Sequence, residues 1–446
     1  MMTWTAHPSR GTVMAAAAAL VTAGLYLAPP AAAASARASG ERVLYSFDGP
    51  DGAGPLSGVT AGPGGVLYGT TDFGGRRGDG DVFSLTPTGS GYTERALVRF
   101  TGANGAKPGG TVVIGAHGDL FGETVIGGAA GGGTVFELVR AGSGFTEKVL
   151  HSFTGADGFQ PIGPLVLDAR GDLFGVTQFG GTGGQGVVYE MTPTANGYAE
   201  QVLHSFAASG GQPQAGITMA GNGTLYGTLY GFSQVHPDGT VFSIRPRKTG
   251  SVYTDLYNFK GGTDGANPFA LLTVDTSGEI YGTTQYGGVP PGTGIGNGTV
   301  FALTPTGSGY TERVLHSFTR QRGGFYPEAP LLLTSRGDLY GTTTQAGSGC
   351  RGGCGTIFEL TPASPGSYTF RLVYAFAGAP DGTDPVFAGL AAGHSGQMFG
   401  TTRSGGTSTT CTLVSPGCGT VYQITPEPPV APGHSPGTFL TSEAGP

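Results

Sequence analysis

The sequence predicts an all-β fold, a seven-bladed β-propeller with four antiparallel strands per blade, closed by the N-terminal strand joining the last blade. Three observations predict it. Composition is the first: 87 Gly and 31 Pro, with 11% charged against 38% hydrophobic residues, break helix interiors and favour turn-rich β structure. Repetition is the second. Thr304 to Arg313 reads T-P-T-G-S-G-Y-T-E-R and recurs unchanged at Thr86 to Arg95, and a repeating chain is read by its period first. Phase is the third. The repeats open on a fourth strand, Glu41 to Phe47, and end on a third strand, Thr420 to Thr425. Joined, the two complete a blade and leave no open edge.

Taken in order, residues 1–36 read as a signal peptide. Met1 to Arg10 is polar, Gly11 to Ala28 is apolar, Pro29 and Pro30 break any helix, and Ala34-Ser35-Ala36 has the A-x-A cleavage spacing. An uncleaved anchor is the competing reading, and its flanks fit less well. Beyond this segment no apolar run approaches the roughly 20 residues of a membrane span. The propeller is expected over residues 37–426, followed by a Pro-rich, disordered tail at 427–446.

Three landmarks recur seven times each. An aromatic-Gly pair stands at Tyr68-Gly69, Phe121-Gly122, Phe174-Gly175, Tyr226-Gly227, Tyr281-Gly282, Tyr340-Gly341 and Phe399-Gly400. A β-branched residue with an aromatic follows, from Val82-Phe83 to Val421-Tyr422, and an aromatic ends each unit, from Phe47 to Phe376. Copies of the first and third landmarks lie 52 to 59 residues apart. In the sixth unit the strands read Pro330 to Thr334, Asp338 to Thr343, Thr356 to Thr361 and Tyr368 to Phe376. Each is short, rich in β-branched and aromatic residues, and bounded by Gly, Pro or Asp. Leu315 and Phe318 are both large and apolar at positions that strict alternation sends to opposite faces, as expected of a blade covered on both sides. Gly341, Thr342 and Thr343 are small, which suits a region where blades converge. A stacked solenoid would want fewer strands per turn and capping ends.

The copies of L-Y-G-T-T, G-G and G-T-V-F-x-L-T-P resemble the GloVer tandem repeat of bacterial exported proteins with a choice of C-terminal anchors. The layout is also similar to Kelch blades, where a Gly pair follows the second strand. The resemblance covers about Glu41 to Pro426 and implies an extracellular repeat protein with no established activity. The tail has neither a hydrophobic segment nor a basic end, so the anchor of that family is not expected here.

All four cysteines fall in the last two repeats. In an exported chain the expected pairs are Cys350 with Cys354 and Cys411 with Cys418. Zinc is the competing reading, against which stand the spacings and the lack of an accompanying His. No metal and no cofactor are expected elsewhere. The net charge of -7 argues against a nucleic-acid groove, and a monomer is expected.

Alternating strand directions put the two short turns of each blade on one face and the two long loops on the other, which makes the long-loop face the candidate surface. It carries Arg76, Gln178, Gln285, Tyr286, Gln345 and Arg403, side chains suited to a glycan or protein ligand. His151, His204 and His316 share one repeating position and read as structural. Glu123, which replaces Thr in the second L-Y-G-T-T copy, and His236 are the candidates for acid-base work. The resulting expectation is an exported, non-catalytic binding or scaffold module. The alternative is an extracellular polysaccharide lyase or hydrolase, which would need unique titratable groups gathered in one place.

Overall fold

The computed structural model describes residues 40–231, 237–289, 294–319, 323–346, 350, 353–387, 389–411 and 417–426. The expected signal peptide, the tail and His236 lie outside them. Backbone pairing builds seven antiparallel sheets in a ring, the blades of a propeller, with a two-stranded ribbon of Gly382–Thr383 and Ser404–Gly405 added to the last. Blade 6 is typical. It runs Leu332–Leu333, Leu339–Thr343, Thr356–Ser364 and Ser367–Ala375, hydrogen-bonded in that order. In blade 7, Gly40–Ser46 pairs antiparallel with Thr420–Thr425, from Gly40↔Thr425 to Ser46↔Thr420.

The innermost strand is shorter than the five residues expected from the sequence. In blade 2 it is split into Ala106–Pro108 and Val113–Ile114, which both pair with Leu120–Ile126 across the interruption at Gly109 and Gly110. The Pro lacks a ladder donor, and this strand pairs on one side only, where that lack is tolerated.

Strict alternation fails in the fourth strand, and the failure is systematic. A register shift falls at the same place in every blade, as between Val300 and Phe301, where Leu315 is the extra residue. The bulge re-aims the strand's last turn. Leu315 and Phe318 consequently join one apolar cluster with Phe358, Leu331 and Tyr281, instead of serving two faces.

Each core lies between blades. Seven apolar clusters each combine residues of two adjacent blades, and the one joining blades 7 and 1 contains Leu44, Phe47, Val421, Val59 and Phe83. At the centre of each, the aromatic that ends one blade meets the third-strand aromatic of the next. Phe318 and Phe358 stand 5.1 Å apart at 68°, and Phe47 and Phe83 stand 5.1 Å apart at 66°. Edge-to-face contact of this kind adds to the burial of the rings.

Two glycines of the repeat have identifiable work. A Cβ on Gly341 would stand 2.5 Å from the Phe358 ring, so Gly lets that ring cross the second strand. Closeness to the axis is therefore not what requires it. Gly298, at φ 98°, would place a Cβ 2.6 Å from Pro327 Cδ of the next blade. Beside that contact Tyr326 holds φ 59° and donates its N–H to the Asn297 carbonyl at 2.9 Å. The same stitch recurs from Lys107 to Asp79, Gln160 to Gly132, Asn267 to Asp238, Asp384 to Cys354 and Gly54 to Cys418, crossing six of the seven interfaces. A left-handed residue before Pro is strained, and the inter-blade bond offsets that cost. Both expected disulfides form, with Cα separations of 5.3 Å for Cys350–Cys354 and 5.4 Å for Cys411–Cys418.

At the rim a second repeating contact joins the blades. Tyr374 bonds Asp381 at 3.0 Å beside Glu41, and Tyr257 bonds Asp264 at 2.6 Å beside Glu312. Tyr45 bonds Asp51 beside Glu94. One carboxylate oxygen of each Glu is buried without a partner. Burial pushes the three Glu carboxyls from 4.5 up to about 7, and the neighbouring Asp381, Asp51 and Asp264 add to it. Arg99, Asp81 and Asp48 also face Glu94, Lys260 and Arg313 face Glu312, and Tyr374 faces Glu41.

The folded chain therefore holds protons that the unfolded chain releases above 4.5. This stability is complete below that pH and is lost as pH rises through about 7. Melting temperature is expected to fall across this window, and to fall less in the triple variant Glu41→Gln, Glu94→Gln, Glu312→Gln. An equal slope in the two proteins would refute the assignment.

Candidate functional site

The two kinds of loop separate by face. Long loops contact each other, with Gly128 N–H donating to the Gly102 carbonyl at 2.8 Å and Gly181 N–H to the Gly155 carbonyl at 2.9 Å. Short turns pack together at the other end, as Gly337 does against Pro362. On the long-loop face the second strand ends with the residue after Thr-Thr, and the first strand contributes the residue after its Pro. These two positions meet at the interfaces of blades 3 and 4, 4 and 5, and 5 and 6.

Gln178 of blade 3 donates to Gln214 of blade 4 at 2.8 Å, and Gln214 donates to Gln212 at 3.0 Å. Gln285 of blade 5 donates to Glu328 of blade 6 at 2.5 Å and accepts from Tyr230 of blade 4 at 3.4 Å. Arg403 of blade 7 stands 3.9 Å from Asp384. Asp72 of blade 1 lies between Lys107 and Arg403, whose charges oppose the upward push of burial on its carboxyl.

An aromatic pair marks the axis. Phe269 of blade 5 stacks on Phe387 of blade 7 at 5.3 Å and 16°, a contact that skips blade 6 and so requires closeness to the ring's centre. Tyr230 meets Phe269 edge-on at 5.7 Å, and Tyr286 meets Tyr326 edge-on at 5.5 Å. Phe387 remains 39% exposed. Burial pushes the Glu328 carboxyl up to about 7, and the Gln285 amide partly opposes the shift. The mouth thus offers an apolar ring face, amides with donors and acceptors, a carboxyl that can carry a proton near neutral pH, and a guanidinium.

Of the residues singled out from sequence, Gln178, Gln285 and Arg403 belong to this mouth, and Tyr286 adjoins it. Gln345 pairs its backbone with Phe325. Arg76 lies toward the rim, in a cleft of about 790 Å³ that it shares with Asp48, Arg99 and Cys411 at the seam of blades 7 and 1. Glu123 is 2% exposed and accepts the hydroxyl of Tyr189 from the next blade. Burial raises its pKa well above the ordinary value, despite that hydrogen bond. Sequence reasoning missed Gln214, Tyr230, Phe269, Glu328 and Phe387. The signal was present in part: Gln214, Phe269 and Glu328 each directly follow a first-strand Pro, at a position whose identity varies from repeat to repeat, and Tyr230 stands where Gln178 and Gln285 do in their own repeats.

The Gloeobacter/Verrucomicrobia repeat matches residues 35–234 and 199–414 of the chain. No curated protein matches. Among solved structures the chain is similar to a fungal alcohol oxidase in complex with copper, at 14% identity and TM-score 0.56, over 86% of this chain and 76% of that one. It is also similar to a polysaccharide lyase, an ulvan lyase, at 12% identity and TM-score 0.50, over 86% and 96%. A third likeness is to an aldose sugar dehydrogenase from Streptomyces coelicolor, at 11% identity and TM-score 0.45, over 87% and 98%. At these identities the first two likenesses are of fold alone.

Proposed function

For a chain that belongs to the Gloeobacter/Verrucomicrobia repeat family, we propose an exported, monomeric binding module that holds an extracellular glycan across the axial mouth of its long-loop face. The observation that carries this reading is the exposed Phe387, stacked on Phe269, on the same face as the polar pairs Gln178–Gln214, Gln285–Glu328 and Arg403–Asp384. A sugar ring presents an apolar face to an aromatic and hydroxyls to planar amides, and this mouth supplies both. Export is supported by the signal-like pattern of residues 1–36 and by the two disulfides. Among the described residues no helix is long and apolar enough to cross a membrane.

The test is retention on a panel of neutral and uronate-containing polysaccharides. Phe387→Ala combined with Gln285→Ala is expected to weaken binding by about tenfold or more, roughly 1.4 kcal/mol, while Arg336→Ala in a short turn leaves it unchanged. Loss of retention in Arg336→Ala alone would overturn the face assignment. Release of shortened glycan by the wild type, abolished in Glu328→Gln, would replace binding with catalysis.

A further inference from the structure

The rim contacts repeat around the ring, and one of them differs in kind. Where blades 7 and 1 present Tyr45 beside Asp51 and Glu94, and blades 4 and 5 present Tyr257 beside Asp264 and Glu312, blade 2 presents His151 beside Asp157, with Glu200 supplied by blade 3. Tyr at this position donates a hydroxyl to the Asp. Imidazole at the same position adds a nitrogen able to ligate a metal. His151 Nε2 lies 2.9 Å from Asp157 Oδ2, and one ligand atom from each of His151, Asp157 and Glu200 lies within 4.8 Å of the others.

The remaining geometry points each donor inward. Asp157 Oδ1 is held by the N–H and hydroxyl of Thr154, at 2.8 and 2.9 Å, which leaves Oδ2 for the His side. The imidazole is braced edge-on by Phe153 at 4.8 Å. Glu200 Oε1 is buried without a partner, as are the equivalent oxygens of Glu41, Glu94 and Glu312, so the imidazole is what sets this seam apart. The two other histidines of the repeat provide internal controls. His204 stacks on Tyr253, whose hydroxyl bonds Asp255, and its following loop contains no Asp. His316 stacks on Phe370, which occupies the Glu position. Only at the seam of blades 2 and 3, among the described residues, do an imidazole and two carboxylates converge.

We propose that His151, Asp157 and Glu200 form a site for a divalent transition metal of the zinc class, which clamps blade 2 to blade 3. One imidazole and two carboxylates suit such an ion, and three protein ligands leave a further position for water. The proposal is independent of the glycan reading, since the site is on the rim and uses none of the residues of the axial mouth.

The experiment is equilibrium dialysis of the untagged, disulfide-bonded chain against zinc, paired with thermal melts. One zinc per chain is expected, with a melting temperature that rises with zinc concentration. His151→Tyr installs the side chain used at the equivalent interfaces and should fold, yet lose both effects. Glu200→Gln should weaken them, and His316→Phe should leave them intact. Tyr257→His, beside Asp264 and Glu312, should raise the stoichiometry to two. Failure of the wild type to take up zinc, or equal uptake by His151→Tyr, overturns the proposal. A Tyr257→His variant that stays at one zinc counts against the ligand set.

Discussion

Removing residues 40–47 is expected to unfold the protein or lower its melting temperature by on the order of 10 °C, far more than the loss of a short terminal segment ordinarily causes. Gly40–Ser46 is the outer strand of blade 7, and its removal exposes the full edge of Thr420–Thr425. The segment also carries Leu44 and Phe47 into the core between blades 7 and 1, where Phe47 is fully buried against Phe83. Emptying a Leu and a Phe site costs about 2–5 and 3–5 kcal/mol respectively. Thermal melts of the truncated chain check the size of the effect. Where truncation prevents folding, Phe47→Ala alone tests the same interface and should lower the melting temperature by several degrees. A truncated chain that melts with the wild type would show that the ring does not depend on this strand. The free edge should also be a template for association, so the truncated protein is expected to sediment as larger species at high concentration.

Phe318→Ala is the second large effect, an expected loss of about 3–5 kcal/mol in denaturant unfolding. Phe318 and Phe358 are both fully buried, and Phe318 sits among Leu331, Leu360 and Tyr281 at the seam of blades 5 and 6. The strands on either side are held by ladders from which the cavity cannot easily be filled. The exposed Val252, at 41%, is the comparison, and Val252→Ala should change stability by no more than about 0.5 kcal/mol. Equal losses in the two variants would mean that the cores between blades do not carry the fold.

The outline of the ring was legible in the sequence because the signals involved are local. The aromatic-Gly pair, the G-T-V-F start and the V-L-H-S-F end each mark a strand, and their sevenfold recurrence counts the blades. The cysteine pairing was legible because both pairs are close in sequence. The bulge at Leu315 was not legible, since an extra residue in a strand leaves the apolar pattern intact and shows only in the register against Phe301. The candidate site was half legible. Gln178, Gln285 and Arg403 stand at the ends of recognisable second strands, whereas Phe269, Glu328 and Phe387 follow the Pro of a first strand too short to announce itself.

The sequence by itself determined the number of blades, the direction of each strand and therefore which loops share a face, because period and alternation need no knowledge of distant contacts. Tertiary structure alone decided which side chains meet. Phe269 and Phe387 are brought together across blade 6 only by the turn of successive blades about the axis. His151 and Glu200 face each other only because adjacent blades pack with their fourth strands in step. A repeat places equivalent residues at equal intervals along the chain, but contacts between blades depend on the angle through which each blade turns from the last. That angle is set by packing of buried rings such as Phe318 on Phe358, not by any one repeat.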